Sequence, residues 1–247
     1  NGDAGNITIN ARDTVSFNDI SPTGKITPEQ TDKYSSGVFS RVELNGSNTP
    51  DIRKSGNISI NTRKLSITNG AVLTTSTFGT QKAGNIDIKA TDEVKITGTG
   101  ANTFSSGIYS RALKGAFGSA GNIKIETGKL YVADDAFIEA TSRLSNSTGG
   151  SIEIITSKNL SIRNGARISV DSTGTGDAGN IKVNAASISL VKQGTIDATT
   201  ESTDGGNISL KVRDVLFMRS GSRISTTAGT ANAGGNGGRI NISTPII

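Results

Sequence analysis

The sequence predicts an all-β fold, a single-stranded right-handed parallel β-helix of about eight stacked coils with three strands per coil, forming one repeat domain over residues 1–247. Three observations lead there. A Gly-Asn-Ile phrase recurs along the whole chain, each recurrence opens a stretch in which apolar and polar residues alternate, and two more alternating stretches follow before the next phrase.

The coils start near Gly5, Gly56, Gly84, Gly121, Gly150, Gly179, Gly206 and Gly238, at separations of 51, 28, 37, 29, 29, 27 and 32 residues. A repeated Gly suits a turn at positive φ. Asn6, Asn57, Asn85, Asn122, Asn180 and Asn207 follow six of these glycines and are expected to stack as a hydrogen-bonded ladder, with Ser151 and Arg239 as breaks.

The first strand of each coil alternates with period 2, as in Ile58-Ser59-Ile60 and Ile152-Glu153-Ile154, so one face is buried. A second strand carries inward pairs such as Leu65 and Ile67, Leu130 and Val132, and Leu216 and Met218. A third carries Leu73 and Thr75, Ile138 and Ala140, Ile168 and Val170, Ile196 and Ala198, and Ile224 and Thr226. One coil cannot bury these side chains alone, but stacking at about 4.8 Å places like on like. An antiparallel sandwich also has short alternating strands, yet it has no reason to repeat its first strand eight times.

Two coils are longer than the rest, with insertions at 18–34 and 43–55 in the first, and both contain one phrase: Ser36-Gly37-Val38-Phe39-Ser40-Arg41 and Ser106-Gly107-Ile108-Tyr109-Ser110-Arg111. By register Phe39, Arg41, Tyr109 and Arg111 project outward on one face, two coils apart. An aromatic ring beside an Arg suits sugar or acidic ligands, which makes these four the ligand-contact candidates. The other reading has the insertions folding back over them as a satellite cluster.

No catalytic residue and no metal site is expected. With no Cys and no His, the chain lacks disulfides, thiol nucleophiles, imidazole chemistry and the usual zinc ligands. Lys and Arg number 26 against 21 Asp and Glu, scattered singly, and Trp is absent, so nucleic acid is not an expected partner. No apolar run approaches the roughly 18 residues of a membrane span. A glycosidase needs two carboxylates about 5–10 Å apart on one groove. Glu139, Asp171 and Asp197 lie on neighbouring coils and invite that reading, but they are expected to be solvating charge. An ice-binding Thr array is interrupted by the same three acids, and Gly234-Gly235-Asn236-Gly237-Gly238 lacks the Asp of a calcium-binding nonapeptide.

The repeats resemble those of filamentous-haemagglutinin-type exoproteins secreted by two-partner systems, especially large cyanobacterial ones. The resemblance rests on Asp3-Ala4-Gly5-Asn6-Ile7-Thr8-Ile9-Asn10-Ala11, on Ser36-Gly37-Val38-Phe39-Ser40-Arg41, and on Leu65-Ser66-Ile67-Thr68-Asn69-Gly70-Ala71. It implies an extracellular or cell-surface adhesin, a structural and adhesive repeat segment without enzymatic activity and without a cofactor. Implied partners are polysaccharide or matrix components and an outer-membrane transporter acting on an amino-terminal domain outside this sequence. A haem role fits poorly, since Met218 is the lone conventional axial ligand. Open solenoid ends also lead us to expect end-to-end self-association. The alternative is a carbohydrate-active or carbohydrate-binding β-helix.

Overall fold

The computed structural model describes residues 2–19, 36–42, 52–100, 104–113, 116–143, 147–229 and 234–247. In chain order its strands are β1 (Ile7–Asn10), β2 (Thr14–Asn18), β3 (Gly37–Val42), β4 (Ile58–Thr68), β5 (Val72–Thr77), β6 (Ile86–Thr97), β7 (Gly107–Ala112), β8 (Ile123–Ala133) and β9 (Phe137–Ser142). Then follow β10 (Ile152–Thr156), β11 (Asn159–Arg163), β12 (Arg167–Ser172), β13 (Ile181–Val191), β14 (Thr195–Thr200), β15 (Ile208–Arg219), β16 (Arg223–Thr227) and β17 (Ile240–Ser243). Among the described residues there is no helix, and hence none long and apolar enough to cross a membrane.

The strands form two parallel sheets that wind as a β-helix. The first has the order β1-β4-β6-β8-β10-β13-β15-β17, with β2 and β11 also paired into it, and the second has the order β3-β5-β7-β9-β12-β14-β16. These are seven complete turns and the opening strand of an eighth. The register is like over like: Ile58 pairs with Ile86, Ile86 with Ile123, Ile123 with Ile152, and Ile152 with Ile181. The Ile, Leu and Val side chains form one continuous cluster, many at 0–1% exposure, inside the winding.

The three alternating stretches per coil are present, and the first two share a sheet. In β4, β6, β8, β13 and β15 they run on as one strand of 11 or 12 residues, whereas β10 and β11 keep them separate. The joint is a corner where the register shifts, between Thr62 and Lys64, Ala90 and Glu93, or Ala185 and Ser187. Successive corners alternate in length. Two residues separate Thr62 from Leu65, three separate Ala90 from Val94, two separate Thr127 from Leu130, and three separate Thr156 from Leu160. A longer corner bulges over its shorter neighbours, as at Gly128, where a Cβ would lie 2.5 Å from the Asp92 carbonyl oxygen.

The coil-opening glycines have a different cause from the one expected. None of them has a positive φ. A Cβ on Gly56, Gly84, Gly121, Gly150, Gly179, Gly206 or Gly238 would instead lie 1.7–2.1 Å from the carbonyl oxygen of the equivalent glycine one coil earlier. Close stacking therefore selects Gly here. Positive φ occurs in the next turn, in the pairs Asn69-Gly70, Asp134-Asp135, Asn164-Gly165, Lys192-Gln193 and Ser220-Gly221. Two consecutive residues of this kind make a tight reversal, for which Asn and Gly are the least strained choices.

The Asn side chains bond to backbone. Asn6 Oδ1 accepts from the Asn57 amide at 2.8 Å, Asn57 from Asn85 at 2.7 Å, Asn85 from Asn122 at 2.8 Å, and Asn122 from Ser151 at 3.0 Å. Ser151 does not break the ladder: its hydroxyl accepts from Asn180 at 3.4 Å. Asn180 and Asn207 continue it to Arg239, which donates its amide and has no side-chain acceptor to pass on. Inward hydroxyls are paired as well. Ser110 donates to the Gly84 carbonyl at 3.0 Å and accepts from the Gly121 amide at 2.8 Å, tying the second sheet to the glycine column.

Candidate functional site

The two outer faces differ. On the first sheet the outward column Asp87, Lys124, Glu153, Lys182 alternates in sign, with Lys182 3.2 Å from Glu153, and Lys124 also meets Glu126 at 2.6 Å on its own strand. Such exposed pairs contribute little each. On the second sheet the outward side chains are far more buried, because long side chains lie along the face and cover their neighbours.

Phe39 and Tyr109 both face outward and flank Thr74, and Arg41 and Arg111 flank Ser76, so the four candidates occupy one face two coils apart. The structure does not present Tyr109 as a free ring. Tyr109 is 5% exposed, its hydroxyl donates to the Ser105 carbonyl at 3.0 Å, and the Arg111 guanidinium carbon sits 3.7 Å from its ring centroid. The ring also lies against Gly107, where a Cβ would be 2.4 Å from Tyr109 Cζ. Arg111 reaches on to the next coil and donates from Nη2 to Glu139 Oε2 at 2.7 Å. A sugar cannot stack on a ring face that Arg111 already covers. Phe39 and Arg41 are half-buried. The insertions proposed to cover them, at 18–34 and 43–55, lie outside the described residues except for 18–19 and 52–55.

Glu139, Asp171 and Asp197 are not free solvating charge, and this corrects the sequence expectation. Asp197 is 1% exposed and is bridged by Arg167, whose Nε donates to Oδ1 at 2.7 Å while Nη2 contacts Oδ2. The same guanidinium holds Asp171 Oδ2 at 3.0 Å. Burial works against the charge of Arg167, but the hydrogen bond to Asp197 and the charges of Asp197 and Asp171 hold its pKa above the usual value. Burial pushes the Asp171 carboxyl up to about 6, with Arg167 opposing the rise and Asp197 and Glu139 adding to it.

Arg167 is the organising residue that sequence reasoning missed. Aligning coils does supply a signal. Arg167 stands four residues before Asp171 on the same face, and one coil on, Thr195 pairs with Arg167 while Asp197 follows two residues later on that face. Glu139, Thr141, Arg143, Arg167, Asp171, Thr173 and Glu201 line a trough of about 490 Å³ across three coils. Among the described residues no apolar side chain lines it. Among the described residues no cluster of Asp and Glu is arranged to hold a metal ion.

No protein-family profile matches this sequence, no curated protein matches it, and no solved structure matches it.

Proposed function

We propose that the chain is a structural and adhesive repeat segment of a secreted bacterial surface or matrix exoprotein, and that it carries out no reaction. The observation that carries this reading is where the polar groups are used. The Asn ladder joins coil to coil through all seven intervals, and the inward Ser and Thr hydroxyls tie the sheets together. The best-formed ion pairs on the second sheet also cross between coils. Chemistry of this kind stiffens a rod. The resemblance of the Gly-Asn-Ile repeats to filamentous-haemagglutinin-type exoproteins supports an extracellular setting, export by an outer-membrane transporter, and contact with polysaccharide or matrix through many weak polar interactions.

A polysaccharide-cleaving reading draws on one observation, the raised pKa of Asp171, which suits a general acid. A single experiment separates the two. The purified chain is expected to sediment with an insoluble polysaccharide and to release no reducing or unsaturated ends from it. Release that is lost in Asp171→Asn would overturn the scaffold reading, and failure to sediment with any polysaccharide or matrix preparation would remove its adhesive half.

A further inference from the structure

The trough on the second sheet holds features that structural packing alone leaves unexplained. Thr141 lines it, is 5% exposed, and its Oγ1 has no hydrogen-bond partner. Asp171 also lines it and is 17% exposed; Oδ2 meets Arg167 while the buried Oδ1 makes no well-formed hydrogen bond, although Ser169, two residues away on the same face, helps to hold the charge. Buried polar atoms in folded proteins are paired almost without exception, so the unpaired Thr141 hydroxyl points to a group in the trough that supplies the missing bond.

The strand ladder is interrupted at the same place. Between β9 and β12 the ladder pairs Ser169 with Glu139 and Ser172 with Ser142, and it is interrupted between those pairs, opposite Thr141 and Asp171. The Ala140 carbonyl accepts instead from the Gly150 amide at 3.1 Å.

The geometry points to a binding site for a neutral saccharide chain lying along the stack, with the Thr141 hydroxyl and the Asp171 carboxylate as its buried contacts and Arg143 at the exposed side. This rests on the adhesive reading above and gives it a location. The lining decides the ligand class. An apolar peptide or lipid finds no apolar side chain among the described lining residues. A polyanion would meet three carboxylates, Glu139, Asp171 and Glu201, against two guanidiniums, of which Arg167 is already engaged by Asp171 and Asp197. Sugar hydroxyls donate to carboxylates and accept from Thr and Arg, which is the mixture present. The trough spans three coils spaced about 4.8 Å apart, close to the rise of one sugar unit in an extended chain, so successive units meet successive coils.

The test is titration calorimetry of the full chain with cellohexaose, laminarihexaose and maltohexaose as neutral probes and hexagalacturonate as the acidic one. Thr141→Val keeps the side-chain shape and removes the orphan hydroxyl, and Arg143→Ala removes an exposed side chain. At least one neutral hexasaccharide is expected to bind saturably and more tightly than hexagalacturonate. Each variant should weaken that binding roughly tenfold while melting at or above the wild-type temperature. Tighter binding of hexagalacturonate, no saturable binding of any neutral probe, or variants that bind as wild type would overturn the assignment. Sedimentation with insoluble polysaccharide, run on the same proteins, separates the failures. If wild type and variants sediment alike, the trough is wrong and the adhesive reading stands; if wild type does not sediment, both fall.

Discussion

Replacing Gly206 by Ala tests the close stacking of coils at its tightest point. The added Cβ would lie 1.7 Å from the Gly179 carbonyl oxygen and 3.2 Å from the Ala178 Cβ. Backbone, not a flexible side chain, is in the way, so the two coils must part locally. Overpacking of this kind costs about 1–3 kcal/mol. Two hydrogen bonds across the same interval are strained with it, the Asn207 amide to Asn180 Oδ1 and the Ile181 amide to the Asn207 carbonyl, both 2.9 Å, for about 1 kcal/mol each. The smaller freedom of Ala in the unfolded chain returns about 0.4–1 kcal/mol. The net loss is about 3 kcal/mol, which lowers the melting midpoint by roughly 6–12 °C in a chain of this size. Gly5 is the internal control, since it holds the same place in the repeat but nothing lies within 4 Å of a Cβ there. Thermal denaturation followed by circular dichroism should show Gly206→Ala strongly destabilised and Gly5→Ala unchanged or slightly stabilised. Equal midpoints for the two variants would refute the stacking argument.

Arg167→Met removes the partner of Asp197, which is 1% exposed, and leaves a buried carboxylate uncompensated; chemical denaturation should show a loss of about 3–5 kcal/mol. Asp171 has a folded pKa of about 6 against an ordinary 3.8, so between those values the folded chain holds a proton that the unfolded chain has released. Stability therefore falls as pH rises through that window, by on the order of 3 kcal/mol, and a pH series of melting curves should show that fall in wild type and lose it in Asp171→Asn. Lys192 and Gln193 both occupy the left-handed region, at φ 48° and 65°. Gln193→Gly relieves about 1–2 kcal/mol of backbone strain against an entropic loss of about 0.5–1 kcal/mol, so denaturant titration should show a gain of about 0.5–1 kcal/mol.

Much of the winding was legible because inward and outward alternation has a period of two, and one face of every strand is buried. Ile58, Ile86, Ile123, Ile152 and Ile181 mark the register of the first sheet directly. The corners were harder to read. Nothing between Thr62 and Leu65 breaks a strand, so the first two stretches run together through a bulge, and the alternation of corner lengths emerges when neighbouring coils are laid over one another. The glycine column misled for a related reason: Gly serves both positive φ and close approach, and the residue type alone does not say which. The candidate site was legible only in part. Periodicity places Tyr109, Arg111, Glu139 and Asp197 on the outer face, but facing outward is not the same as being exposed. On a sheet with coils about 4.8 Å apart, Arg111 reaches Glu139 on the next coil and Arg167 reaches Asp197, and these diagonal contacts decide burial. Trends along one strand do not contain them.

The central claim is that equivalent side chains of successive coils lie directly over one another. Double electron–electron resonance on nitroxide pairs measures this most directly, using the outward column Ser59, Asp87, Lys124, Glu153, Lys182, Ser209 and Asn241. With one label fixed at Ser59, the mean distance to labels at Glu153, Lys182, Ser209 and Asn241 should rise by about 4.8 Å per coil, in chain order and along one line. Distances that fail to increase in that order, or that alternate between short and long as in an antiparallel sandwich, would contradict it.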